Sequence, residues 1–141
     1  MITAVDTNVL IDVLTGDERY AAGSARALSA CVRDGSVVAS EVVWAETAAG
    51  YSDLGAFRDT MTRLGVTFAP VQQAAAEAAS TAWKLYRAQG GTRSRILGDF
   101  LVGAHARHQA DRLLTRDRGF IRRYFVELTV VDPSAGGPAG T

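Results

Sequence analysis

Apolar positions along this chain fall into two alternating kinds of segment, short uninterrupted runs and longer stretches with a helical period. Residues 2–5, ITAV, are a short run that predicts a buried strand. Residues 7–14 predict a helix ending near Gly16. Residues 18–33 predict a second helix, with Tyr20, Ser24, Leu28 and Cys31 or Val32 along one face and Gly35 as its stop. Residues 37–39 read as a second strand, and Ser40 as the N-cap of a helix that runs through Ala49. Asp53 caps a helix whose stripe is Leu54, Phe57, Met61 and Leu64, closed by Gly65. Residues 66–69 form a third strand. Residues 72–89, rich in Ala, form a long helix stopped by Gly90 and Gly91. A helix over 96–108, a strand over 113–115, a short helix over 118–124 and a strand over 128–131 complete the set.

Short strands alternating with helices imply an α/β fold with a mainly parallel sheet covered on both faces. A chain of 141 residues suits one domain, here 1–132, with a tail over 133–141 (PSAGGPAGT) that is expected to be disordered. An apolar fraction of 48% and a charged fraction of 21% are ordinary for a folded globular protein. The longest uncharged stretch, 64–76, is too short to span a bilayer and contains Pro70. No basic patch precedes an apolar run at the start, so no signal peptide and no membrane segment are expected. A lone cysteine, Cys31, has no internal disulfide partner; it reads as core, and the cytoplasm is the expected compartment.

The formal net charge is zero, but it is unevenly spread. Residues 1–83 hold five Arg and ten Asp or Glu, whereas residues 84–123 hold ten Arg or Lys and three acids. Only one of the fifteen basic residues is Lys. Arg suits forked contacts to phosphate, though a coding preference for Arg accounts for the bias equally well.

Four acids stand in unusual settings. Asp6 directly follows the first strand, in AVDTNVLIDVL, and Asp117 follows the fourth, in LLTRDRGF. Glu46 lies in VVWAE and Asp99 in GDFLVGAHA, both within apolar helical segments. Ligands of open α/β sheets bind beyond the carboxyl ends of the strands, so Asp6 and Asp117 share a crevice if their strands are neighbours. Each acid also has a local role open to it. Asp6 suits a helix cap, Asp99 a helix N-terminus with Arg95 at i−4, Asp117 a turn before Gly119, and Glu46 a solvated face. Two like charges about 4 Å apart cost roughly 4 kcal/mol at an effective dielectric of 20, so a convergent set requires a compensating cation. Oxygen-only ligands select Mg²⁺ or Mn²⁺, and one or two such ions suit the set. The matching chemistry is in-line displacement at phosphorus by a metal-activated water. His105 and His108 lack a third ligand and read as surface or interface residues.

The four motifs, in that order, resemble the PIN-domain family, and within it the VapC-type ribonuclease toxins of bacterial toxin–antitoxin pairs. The resemblance covers nearly the whole domain. It implies an α/β/α sandwich and a metal-dependent endoribonuclease, with Asp6, Glu46, Asp99 and Asp117 as metal ligands and catalytic acids. It implies that Thr7, Asn8 and Thr115 shape or hydrogen-bond the site; the nearby acids Asp12 and Glu41 are read as lying outside it. It also implies a homodimer and a cognate VapB-like antitoxin. Arg112, Arg116 and Arg118 are the expected RNA-binding residues, ahead of Arg26 and Arg33. Two other readings compete: a non-catalytic protein- or RNA-binding module, and a phosphatase with Asp6 as nucleophile. Phosphatases of the haloacid dehalogenase type carry a second Asp where this chain has Asn8, which disfavours the latter.

Overall fold

The computed structural model describes residues 1–92, 95–117 and 119–134; Arg118 and the last seven residues of the expected tail lie outside them. The described residues form β1 (Ile2–Val5), α1 (Thr7–Thr15), α2 (Ala21–Asp34), β2 (Ser36–Ala39), α3 (Glu41–Ala48), α4 (Leu54–Leu64), β3 (Val66–Phe68), α5 (Gln73–Ala88), α6 (Leu97–Gln109), β4 (Arg112–Leu114), α7 (Phe120–Tyr124) and β5 (Val130–Val131). The strands make one parallel sheet in the order β3-β2-β1-β4-β5. Helices flank it to give an α/β/α sandwich.

Local chemistry sets the element boundaries. The Asp6 carboxylate accepts the Thr7 N–H at 2.7 Å and caps α1, which Gly16 closes at φ 66°, a left-handed conformation that costs glycine nothing. Ser40 caps α3 and Asp53 caps α4 as the sequence predicts. By contrast, α2 starts at Ala21 rather than residue 18. One Asp17 carboxylate oxygen accepts the Arg19 and Tyr20 N–H groups at 2.9 and 3.0 Å, a turn that holds residues 18–20 out of the helix.

Burial follows the periodic pattern with two exceptions. Ser24, Leu28 and Cys31 are buried on α2, and Phe57 and Met61 on α4. Leu54, placed in the α4 stripe from sequence, lies in the first turn and is exposed. His105, expected at a surface, is instead fully buried on α6, and its Nε2 lies 2.8 Å from the Ala69 carbonyl oxygen. That bond satisfies the ring inside the core, while burial lowers the His105 pKa. Pro133 is also buried, its carbonyl oxygen close against Gly23 of α2.

The strand order moves outward from β1 to β2 and β3, then returns to β4 on the other side of β1. The switch between β1 and β4 opens a crevice at the carboxyl ends of these strands. Register pairs Thr3 with Arg112, Ala4 with Leu113 and Val5 with Leu114, so Asp6 and Thr115 emerge side by side.

Asp12, on the second turn of α1, fastens this helix to the segment after β4. Its carboxylate is buried, accepts the Ser24 hydroxyl at 2.8 Å, and takes two Arg116 N–H donors at 2.7 and 3.1 Å. The guanidinium carbon of Arg116 lies 3.9 Å from the Tyr20 ring centroid. Removing the arginine strands a buried carboxylate with only a hydroxyl. Arg116→Ala is therefore expected to lower unfolding free energy by about 2–3 kcal/mol. Arg26→Ala, on the exposed face of α2, is expected to change it by less than about 0.5 kcal/mol; urea denaturation checks both.

Candidate active site

Asp6, Thr7, Asn8, Ile11, Glu46, Arg95, Asp99, Val102, Arg116, Asp117 and Ile121 line a cleft of about 470 Å³ at the β1–β4 switch. The four acids come from four segments: the tip of β1, the middle of α3, the first turn of α6, and the loop after β4.

Thr115 is the hub of this cleft. Its side chain is fully buried, and its hydroxyl donates to one Asp6 carboxylate oxygen at 2.8 Å. The same hydroxyl oxygen accepts from the Asn8 amide at 3.2 Å and from the Asp117 N–H at 3.0 Å. Asn8 in turn accepts the Arg116 N–H at 3.2 Å. The start of α1 is thereby stitched to the loop that carries Asp117. Thr7 reaches the other way, donating its hydroxyl to Glu46 at 2.6 Å, which ties α1 to α3.

Asp6, Asp99 and Asp117 are each oriented by a local bond, and Glu46 by the distant Thr7 hydroxyl. Asp6 uses one oxygen to cap α1 and the other to meet Thr115. Asp99 accepts the Ile96 N–H at 2.9 Å at the start of α6. Asp117 accepts the Phe120 N–H at 3.2 Å with one oxygen and takes an Arg95 donor at 2.8 Å with the other. Glu46 is the most exposed of the set.

The electrostatics record the convergence. The Asp6 pKa is pushed up to about 6, chiefly because burial disfavours the carboxylate, with Asp117 and Asp99 adding like-charge repulsion. Bonds from Thr115 and Thr7 oppose the shift. The donors are all oxygens, which fits Mg²⁺ or Mn²⁺ rather than zinc. Among the described residues, however, no three His, Cys, Asp or Glu side chains form a ready-made metal cage.

The expected arginines fall in different places. Arg116 lines the cleft, but its guanidinium is committed to Asp12. Arg112 is not at the cleft. It begins β4, three residues or about 10 Å before Thr115, and bonds to the Thr3 hydroxyl and Asp34. There it shares a groove along α2 and β5 with Arg26 and Arg33, the residues it was expected to outrank. Arg118 lies outside the described residues.

Arg95 is the cleft residue that sequence reasoning assigned to the wrong acid. Its spacing suggested a helical i, i+4 contact with Asp99. Because α6 begins at Leu97, Arg95 precedes the helix, and the helical spacing does not apply. It pairs with Asp117, and its guanidinium carbon lies 4.0 Å from the Phe120 ring centroid. Asp12 and Glu41 stand outside the cleft, as the sequence predicts: Asp12 meets Ser24 and Arg116, and Glu41 accepts the Val71 N–H at 2.9 Å.

Comparison with known proteins places this geometry. The sequence matches the PIN domain over residues 3–126. No curated protein matches the chain. Among solved structures, VapBC2 from Rickettsia felis, bound to a DNA fragment from its promoter, is similar at TM-score 0.68 and 13% identity, covering 94% of this chain and 98% of that one. A toxin–antitoxin complex from Klebsiella pneumoniae gives TM-score 0.65 and 24% identity, with coverage of 93% and 97%. VapBC-1 from nontypeable Haemophilus influenzae gives 0.68 and 18%, with coverage of 95% and 99%. At these identities the structural likeness speaks to the fold, while the match over 3–126 speaks to the family. This chain belongs to the PIN-domain family.

Proposed function

We propose that this chain is a Mg²⁺- or Mn²⁺-dependent endoribonuclease that acts as the toxin of a toxin–antitoxin pair. The observation that carries the reading is the convergence of Asp6, Glu46, Asp99 and Asp117 on one cleft at the β1–β4 switch. Asp6, Asp99 and Asp117 are the residues that would hold an ion, with Glu46 at the open side. A divalent ion bound there would supply charge stabilisation at the phosphoryl oxygens and lower the pKa of water enough to give a nucleophile near neutral pH. The chain's own part is orientation. Thr115 and Thr7 fix the Asp6 and Glu46 carboxylates, and the buried floor of the cleft lowers the local dielectric around them.

A VapB-like antitoxin is the proposed partner, supported by the Klebsiella neighbour, a toxin–antitoxin complex of the same fold. Homodimerisation and a cytoplasmic site of action belong to the same reading. No helix among the described residues is long and apolar enough to cross a membrane.

The test is RNA cleavage by the purified chain, free of partner, with Mn²⁺ or with EDTA. Wild type is expected to cut with Mn²⁺ and not with EDTA, and Asp6→Asn and Asp99→Asn to lose at least about a hundredfold in rate. Equal cutting by wild type and these variants would assign the activity elsewhere. Thr115→Val should weaken Mn²⁺ binding by roughly tenfold through loss of carboxylate orientation. Arg112→Ala should leave RNA affinity within the range seen for Arg26→Ala, because both lie along the α2 groove.

The raised Asp6 pKa also predicts a pH effect on the metal-free protein. The folded chain holds the Asp6 proton up to about pH 6, whereas an unfolded aspartate releases it near its ordinary value of 3.8. Between these values the folded state binds more protons, so stability falls as pH rises through the window. Relative to wild type, Asp6→Asn should therefore gain stability between about pH 4 and 6 and hold that gain above it. Denaturation in EDTA measures this, and saturating Mn²⁺ should narrow the gap at pH 7.

A further inference from the structure

We propose that Arg95 is the resident cation of the acidic cleft, occupying through Asp117 the place of a second divalent ion, so that the cleft takes one metal ion per chain. The proposal rests on the metal-site reading above and goes beyond it by setting the stoichiometry.

Charge balance comes first. Among the described residues lining the cleft, the positive side chains are Arg95 and Arg116. Arg116 is spent on Asp12, a carboxylate outside the set, and its guanidinium is seated by Tyr20. Among the described residues, compensation of the four acids therefore falls to Arg95. One guanidinium reduces a formal −4 to −3, and one divalent ion brings it to −1. Two ions together with Arg95 would overcompensate the cluster and place a divalent ion beside a fixed guanidinium. That juxtaposition of like charges is costly in a partly buried cleft.

Geometry comes second. Arg95, Asp117 and Phe120 form a closed unit. The Phe120 N–H donates to one Asp117 oxygen at 3.2 Å, Arg95 donates to the other at 2.8 Å, and Arg95 lies over the Phe120 ring with its guanidinium carbon 4.0 Å from the centroid. The Phe120 ring is itself held edge-on by Tyr86 and Phe100. The guanidinium therefore rests on a fixed aromatic platform instead of swinging in solvent. Asp6, by contrast, is bonded by neutral donors, which orient a carboxylate without neutralising it.

A guanidinium that competes with metal and one that merely positions a ligand predict opposite signs. If Arg95 competes, its removal frees Asp117 and metal binds more tightly or in greater number. If Arg95 only orients Asp117 as a ligand, its removal weakens binding.

The experiment is calorimetric titration of the metal-free full chain with Mn²⁺, without RNA. Wild type is expected to bind one ion. Arg95→Ala and Arg95→Gln are expected to bind a second ion, or to bind the first roughly tenfold more tightly. Arg95→Lys, which keeps the charge, should resemble wild type. Arg95→Gln retains most of the stem over Phe120, so agreement between the two neutral variants separates the charge effect from any loss of fold. Two ions on wild type, or weaker or unchanged binding in both neutral variants, overturns the Arg95 assignment while leaving the metal site in place. A wild-type chain that binds no Mn²⁺ overturns the metal-site reading and the Arg95 assignment with it.

Discussion

A single buried hydroxyl, that of Thr115, holds the cleft together. It sits where β4 ends, next to the end of β1, and satisfies three groups from two distant parts of the chain: Asp6, Asn8 and the Asp117 N–H. Such a bond network forms only if β1 and β4 are neighbours in the observed register, since a shift by one residue would turn the Thr115 side chain to the other face of the sheet. The site is thus a readout of sheet topology. Four acids spread over more than a hundred residues meet because two parallel strands adjoin at a switch point.

The local account of each acid does not exclude a place in the cleft, although the two compete when only the sequence is in view. Asp6 does cap α1, Asp99 does accept a helix N-terminal N–H, and Asp117 does close the turn before α7. A carboxylate has two oxygens and about four lone-pair sites, so a capping bond fixes its direction without exhausting its capacity. Helix caps and turns are rigid anchors for a side chain that must be aimed. Here the economical solution is to let the residue that starts a helix also face the cleft.

The elements were legible because their signals are local. Apolar runs marked the strands, and caps such as Ser40 and Asp53 marked helix starts. Errors arose where a non-local or side-chain effect intervened. Asp17 used its carboxylate on backbone N–H groups and delayed α2. His105 was polar by type but found the Ala69 carbonyl inside the core, a contact between segments 36 residues apart that no periodicity reveals. Asp6, Asp99 and Asp117 adjoin element ends and Glu46 lies within α3, so their shared placement at one cleft was legible from local signals. The arginines were not, because a long side chain is placed by its partner. Arg112 and Arg116 are four residues apart in sequence yet serve the opposite end of the sheet and the α1 tie, respectively.

Assembling like charges at the end of a sheet is destabilising, and the rest of the molecule bears that load. Beneath the cleft lie fully buried Val5, Leu10, Phe100 and Leu114, each contributing about 1.5–3 kcal/mol through burial. Beside it, the Asp12–Arg116 pair clamps α1 to the β4 loop, so the two segments carrying Asp6 and Asp117 cannot relax apart. Held in that frame, Asp6 has a raised pKa, chiefly from burial, with repulsion from Asp117 and Asp99 adding to it. The cost of burying and grouping these acids is therefore carried in the electrostatics of Asp6. The proposed function, a cleft that receives a hard cation, needs both features: a rigid frame, and charge that the frame alone does not neutralise.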